Sequence, residues 1–206
     1  MSIGKLYYTP MSCGAASFIA ATYAGLEFEG DVVDLKAHKT SSGQDFYQIS
    51  KKGNVPTLVT PKGVLSEGPS VLQFIADQAP ESKLAPAFGS FERYQLIDTF
   101  NYIGNEVHKS CSPLFNPSWD DATKQKFKDA VYKKLECLEK HYIGQDPFLN
   151  PQQPSIAAIY LYVVLTWSPH LGLSLDEYPK VKHFKEQMGA NTKIKAALDK
   201  LQAGSK

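Results

Sequence analysis

The sequence predicts an α+β protein in two parts. Residues 1–80 read as an α/β half, residues 91–206 as an all-helical half, and 81–90 as the linker between them. Three observations predict this. Strand and helix signals alternate up to residue 80 and strand signals then stop. Pro80, Pro86 and Gly89, with Ser, Ala and Lys between them, mark the break. The apolar residues beyond it recur at helical spacing.

Leu6-Tyr7-Tyr8 is the first strand, an apolar run broken by Thr9 and Pro10. Ser12 suits a helix N-cap, and residues 15–24 form the first helix, closed by Gly25. Residues 28–35 alternate as a second strand. Residues 36–51 are polar and irregular, with Gly43 inside, and read as a loop plus a short helix. Val55 to Thr60 is the third strand. Pro61-Lys62-Gly63 turns the chain into Val64-Leu65-Ser66, antiparallel to it. Glu67-Gly68-Pro69-Ser70 then opens a helix running through Ala76, so the order is βαβ followed by αββα. Past the linker, helices are expected at 91–112, 121–142, 155–168 and 178–187, and a last amphipathic one carries Ile194, Ala197, Leu198 and Leu201.

The chain has 206 residues, 43% hydrophobic and 21% charged, which is the make-up of an ordinary globule with ample core. A net charge of +1 supplies no field for nucleic acid or an anionic membrane, so neither is expected as a partner. Ile156 to Trp167, the longest apolar stretch, falls short of the roughly 20 residues that cross a bilayer. It suits a central helix buried on most sides. The opening Met1-Ser2-Ile3-Gly4-Lys5 carries no secretory signal. Cys13, Cys111 and Cys137 are odd in number and far apart, so neither a disulfide framework nor a metal site is expected, and a reducing cytoplasm is the simplest home.

Three places carry possible chemistry. Cys13 falls in the first turn of the first helix, among unpaired N–H groups at the positive end of the helix dipole, and both favour a reactive thiolate. A small buried residue at a tight corner is the alternative. Val55-Pro56 opens a strand, where a cis proline would leave the Val55 backbone as a free edge for a peptide-like ligand; the dipeptide by itself favours an ordinary strand-opening proline. Ser66-Glu67-Gly68 lies at a strand-to-helix junction. Free N–H groups there suit a carboxylate and Glu67 suits an ammonium, as in an α-amino acid head group, although a plain capping turn has the same pattern.

Taken together, the N-terminal order, Cys13 after the first strand, Val55-Pro56 and Ser66-Glu67-Gly68 resemble a cytosolic glutathione transferase. A cysteine at that corner, Asn101 through Lys109 and Pro113-Leu114-Phe115 resemble the bacterial beta class in particular. The resemblance runs over nearly the whole chain. It implies a thioredoxin-like domain followed by a helical bundle, assembled as a homodimer, with glutathione as co-substrate and no prosthetic group. It implies that Val55 pairs with the cysteinyl part of glutathione next to a cis Pro56, and that Glu67 and Gly68 hold the γ-glutamyl head. Leu35, His38 and Lys109 match positions near the tripeptide, His38 replacing a lysine common there. Asn101 and His108, seven residues apart and so on one helix face, are expected over the sulfur. Glu106 is expected to reach the partner subunit's glutathione. Tyr102, Pro113, Phe115 and Trp167 are candidates to line the electrophile pocket.

Two departures stand out. Gly14 replaces a small hydroxyl residue and so lacks its donor. Ala158 replaces a buried aspartate, which leaves the Ser155 cap without its reciprocal partner, at about 1 kcal/mol. The activity implied is conjugation of the glutathione thiolate to small hydrophobic electrophiles. The same resemblance implies glutathione-dependent disulfide reduction or peroxidase activity through Cys13. Gly14-Ala15-Ala16 follows that residue, so no resolving cysteine completes a C-x-x-C pair. A dehalogenating or ether-cleaving enzyme, or a non-catalytic carrier or interaction module on the same fold, are the rivals.

Overall fold

The computed structural model describes residues 2–203. Five strands form one mixed sheet: β1 (Ser2–Tyr8), β2 (Glu27–Asp34), β3 (Lys39–Thr40), β4 (Thr57–Thr60) and β5 (Gly63–Ser66), in the spatial order β3-β2-β1-β4-β5. β1 pairs with β2 in parallel, Tyr7 opposite Asp31, and with β4 antiparallel, Leu6 opposite Leu58. β4 and β5 form the expected hairpin. The parallel pair needs a crossover, and α1 (Gly14–Tyr23) provides it. β3 lies within the stretch read as loop. Two residues are too short for a period-2 signal, and it forms because the chain folds back on β2, Val33 opposite Thr40. The short helix expected nearby is a single 3₁₀ turn, Phe46–Gln48, capped by the Asp45 carboxylate.

The pleat of β1 divides its side chains. Leu6 and Tyr8 enter the main core under α1 and α2 (Gly68–Gln78). Tyr7 faces the other side and joins Val33, Phe46 and Val55 in a smaller cluster. Gly4 marks a register break in β1. Its φ is +121°, and an added Cβ would lie 2.1 Å from the Val59 carbonyl oxygen, so only glycine fits.

Beyond the linker the described chain is helical. α3 (Phe91–Tyr102) continues through a π-helical stretch, Ile103–His108, into α4 (Lys109–Cys111). α5 (Asp121–Cys137) follows, then α6 (Ile156–Thr166), α7 (Pro179–Ala190) and α8 (Thr192–Ala203). α6 is apolar on every side, and Ile156 through Leu165 are all buried, so it is the central helix the composition predicts. Ser155 caps it by accepting from the Ala157 and Ala158 N–H groups, while Ala158 is fully buried with no side chain to complete a capping box.

One core runs through both halves. α8 returns to pack on α1, and α6 touches α1 and α2. The linker is tied down as well. Leu84 is buried, and its carbonyl accepts from the N–H of Ile156. Arg93 of α3 makes two bonds to Asp77 of α2, at 2.8 and 2.9 Å, and a third to the Pro86 carbonyl.

Candidate active site

Cys13 lies immediately before α1 as its N-cap residue. Ser12, expected to be the cap, stands one residue earlier. Its hydroxyl still accepts from the Gly14 N–H at 3.0 Å and donates to the Thr9 carbonyl, which holds the corner closed. An added Cβ on Gly14 would come within 3.1 Å of the Ser12 Oγ and 3.3 Å of Val55, so this packing leaves little room for the hydroxyl residue it replaces.

The Cys13 Sγ faces the Val55 carbonyl at 3.6 Å. Burial pushes its pKa up to about 11, helped by the Glu67 charge; the backbone N–H groups of Cys13 and Gly14 pull the other way and lose. The expectation of a readily formed thiolate in the free protein is therefore corrected. The helix start does stabilise the anion, but desolvation outweighs it. At neutral pH Cys13 is a thiol, able to donate.

The Val55–Pro56 peptide is cis. Glu67, between β5 and α2, has φ +84°, a region non-glycine residues seldom occupy. Its carboxylate makes no capping bond and pairs with Lys52 at 2.7 Å.

These parts border one cleft of about 420 Å³, within the range of small-molecule sites. Cys13, Leu35, Val55, Glu67, Gly68, His108 and Lys109 line it, as do Ser12, Asn54, Pro69, Gly104, Asn105 and Tyr160. A slightly larger hollow of about 480 Å³, between α3 and residues 141–148, contains none of the residues singled out for glutathione.

Several predicted residues lie elsewhere. Pro56 is buried beneath the cleft, near Gly68. His38 packs against Tyr47 with the rings tilted and their centroids 4.6 Å apart, bonds its hydroxyl through Nε2, and keeps Nδ1 buried without a partner. Asn101 is exposed and outside the lining. His108 lines the cleft together with Gly104 and Asn105, one turn before it, while Asn101 lies a further turn back, outside the lining; the segment Ile103–His108 between them is π-helical. Glu106 pairs with Lys134 of its own chain at 2.6 Å, away from the cleft.

The electrophile candidates divide. His108, Trp167 and Phe115 form an edge-to-face series with centroids 5.1 and 5.3 Å apart, leading outward from the cleft. Pro113 sits in the same turn as Phe115, and its carbonyl accepts from Trp119. Tyr102 instead stacks on Tyr142 at 4.7 Å and donates to the Lys134 carbonyl, so it is half-buried against the bundle and outside the cleft lining.

Tyr160 went unnoticed in the sequence. Its hydroxyl is 2.7 Å from His108 Nδ1, and its ring packs edge-on against Phe100. Burial and the nearby Cys13 and Glu67 hold the phenol above its ordinary range. Burial, with Lys109 adding to it, lowers His108, which is neutral at pH 7.

Comparison with known proteins gives the family. The model of the glutathione S-transferase N-terminal domain matches residues 2–77, and that of the C-terminal domain matches residues 105–200. The chain belongs to the glutathione S-transferase family. Its likeness within the family is to the bacterial beta class. It is 35% identical to the beta-class enzyme of Sphingomonas chungbukensis, with a TM-score of 0.88 over 96% of this chain and 98% of that one. A sphingomonad glutathione S-transferase complexed with glutathione is 37% identical, with a TM-score of 0.89 over the same shares. Glutathione S-transferase GstA of Escherichia coli O157:H7 is 31% identical over 94% of this chain and 96% of its own. The fold is thus a glutathione-binding mixed-sheet domain followed by a helical one, and the activity is that of a glutathione transferase. Among the described residues no helix is long and apolar enough to cross a membrane.

Proposed function

We propose that the chain conjugates the thiolate of glutathione to small hydrophobic electrophiles in the cleft at Cys13. The observation that carries this is convergence: Cys13, Glu67 and His108, from three distant stretches, border one cavity. The γ-glutamyl head lies at Glu67 and Gly68, where the acidic side chain meets the ammonium and the start of α2 meets the carboxylate. Its cysteinyl part runs along Val55, and Lys109, at the mouth, faces the glycyl end. Leu35 covers the tripeptide. The electrophile enters along Phe115 and Trp167.

Cys13 takes two roles. As a thiol it donates to the glutathione sulfur and stabilises its anion during conjugation. As a thiolate it attacks a glutathionylated disulfide: the Cys13–S–SG bond forms, the other thiolate leaves, and a second glutathione thiolate then releases oxidised glutathione and restores Cys13. Neither Cys111, which is buried, nor Cys137 lines the cleft, so the monothiol route fits. With its pKa near 11, the second role gains with rising pH.

The test joins binding to turnover. Calorimetric titration should show glutathione bound, and an activated aryl halide should be consumed in its presence. Cys13→Ala should abolish disulfide reduction and lower conjugation by about tenfold, the value of one hydrogen bond to an anion. Equal survival of both activities contradicts these roles; binding without turnover of any electrophile points to a carrier.

A further inference from the structure

The Tyr160 hydroxyl and the His108 imidazole settle each other's protons. Among the described residues that hydroxyl has no other hydrogen-bond partner than His108 Nδ1, at 2.7 Å. The ring behind it is buried against Phe100, at 5.1 Å, and approaches Gly68 and Gly104 on either side. The phenol stays protonated, because burial and the charges on the Cys13 and Glu67 side oppose its ionisation. The imidazole stays neutral, opposed by burial and by Lys109. It therefore carries one N–H.

If that proton were on Nδ1, it would donate to the phenol oxygen, and the phenol's own proton would find no acceptor among the described residues. If it is on Nε2, the phenol donates to Nδ1 and both groups are satisfied. We propose that Tyr160 is a positioning residue that locks His108 as the Nε2–H tautomer, so that His108 offers the cleft a hydrogen-bond donor rather than a base. Nε2–H then stabilises the sulfur anion of the co-substrate, whose proton leaves to solvent. A lone pair at Nε2 would repel that anion. The tautomer follows from the 2.7 Å contact between a neutral imidazole and a protonated phenol, whereas its use toward glutathione rests on the function proposed above.

Long-range ¹H–¹⁵N correlation spectra of the ligand-free, histidine-labelled protein should show His108 with an unprotonated Nδ1 and a protonated Nε2. Tyr160→Phe keeps the ring and deletes the donor. In that variant the His108 signals should move toward the Nδ1–H form. The ultraviolet titration of glutathione thiolate in the complex should shift to higher pH by about one unit, and kcat should fall about tenfold with KM for glutathione little changed. A wild-type His108 protonated on Nδ1 overturns the proposal, as do unchanged nitrogen shifts in Tyr160→Phe. A protein that fails to bind glutathione would instead refute the proposed function, and the tautomer would still be decided by the spectra.

Discussion

Glu67 occupies a backbone position that glycine would hold more cheaply. Its φ of +84° costs on the order of 1–3 kcal/mol for a residue with a side chain, and its carboxylate recovers little, because the Lys52 pair is half-exposed. The strain makes sense if the side chain is needed at the cleft. Glu67→Gly should then leave stability unchanged or raise it by up to about 1 kcal/mol, while weakening glutathione at least about tenfold. Glu67→Gln, which keeps the strained backbone, should weaken binding without any gain in stability. Denaturant midpoints and calorimetry on the pair decide it: a clear loss of stability in Glu67→Gly would show that the side chain is structural. Glu67, like Cys13, was legible in the sequence because a strand-to-helix corner announces itself through turn residues. Tyr160 was not, because it lies inside the unbroken apolar run of α6, where an aromatic reads as core until its hydroxyl is seen to meet His108.

At the scale of elements, the sequence located the helices well and their internal register less well. Apolar spacing predicts helix over 91–112, and helix is found, but spacing alone does not reveal that Ile103–His108 winds with wider turns. Gly104, Asn105 and His108 line the cleft, and Asn101 does not. The linker was legible by its prolines, whereas its anchorage was not. Arg93 and Asp77 stand sixteen residues apart on different helices, and only folding brings them together. Arg93 has a side chain 3% exposed, so removing its partner strands a buried cation. Asp77→Asn should cost about 3 kcal/mol. Deleting the surface pair Lys182–Asp176 should cost no more than about 1 kcal/mol. Urea midpoints at unchanged m-value would show the difference; equal small losses would mean that the Pro86 carbonyl alone satisfies the guanidinium.

At the scale of the whole molecule, the question is how much of the site one chain completes. Glu106, the residue expected to reach across a dimer, is held by Lys134 of its own chain. Yet the surface carries a row of aromatics that a solitary protein rarely displays: Phe88, Phe91 and Tyr94 are 86%, 73% and 61% exposed, three residues apart at the entry to α3. A second copy of the chain seated on α3 would cover that row. Its burial, rather than a shared site, would be what holds two copies together. Sedimentation should therefore find the wild-type protein as a dimer, and Phe91→Asp, which places a charge in the row, should dissociate it without unfolding. The resulting monomer should keep its affinity for glutathione within about twofold, the scatter of independent sites. A dimer untouched by Phe91→Asp would place the interface elsewhere. A monomer that loses glutathione would show that the partner supplies part of the cleft after all.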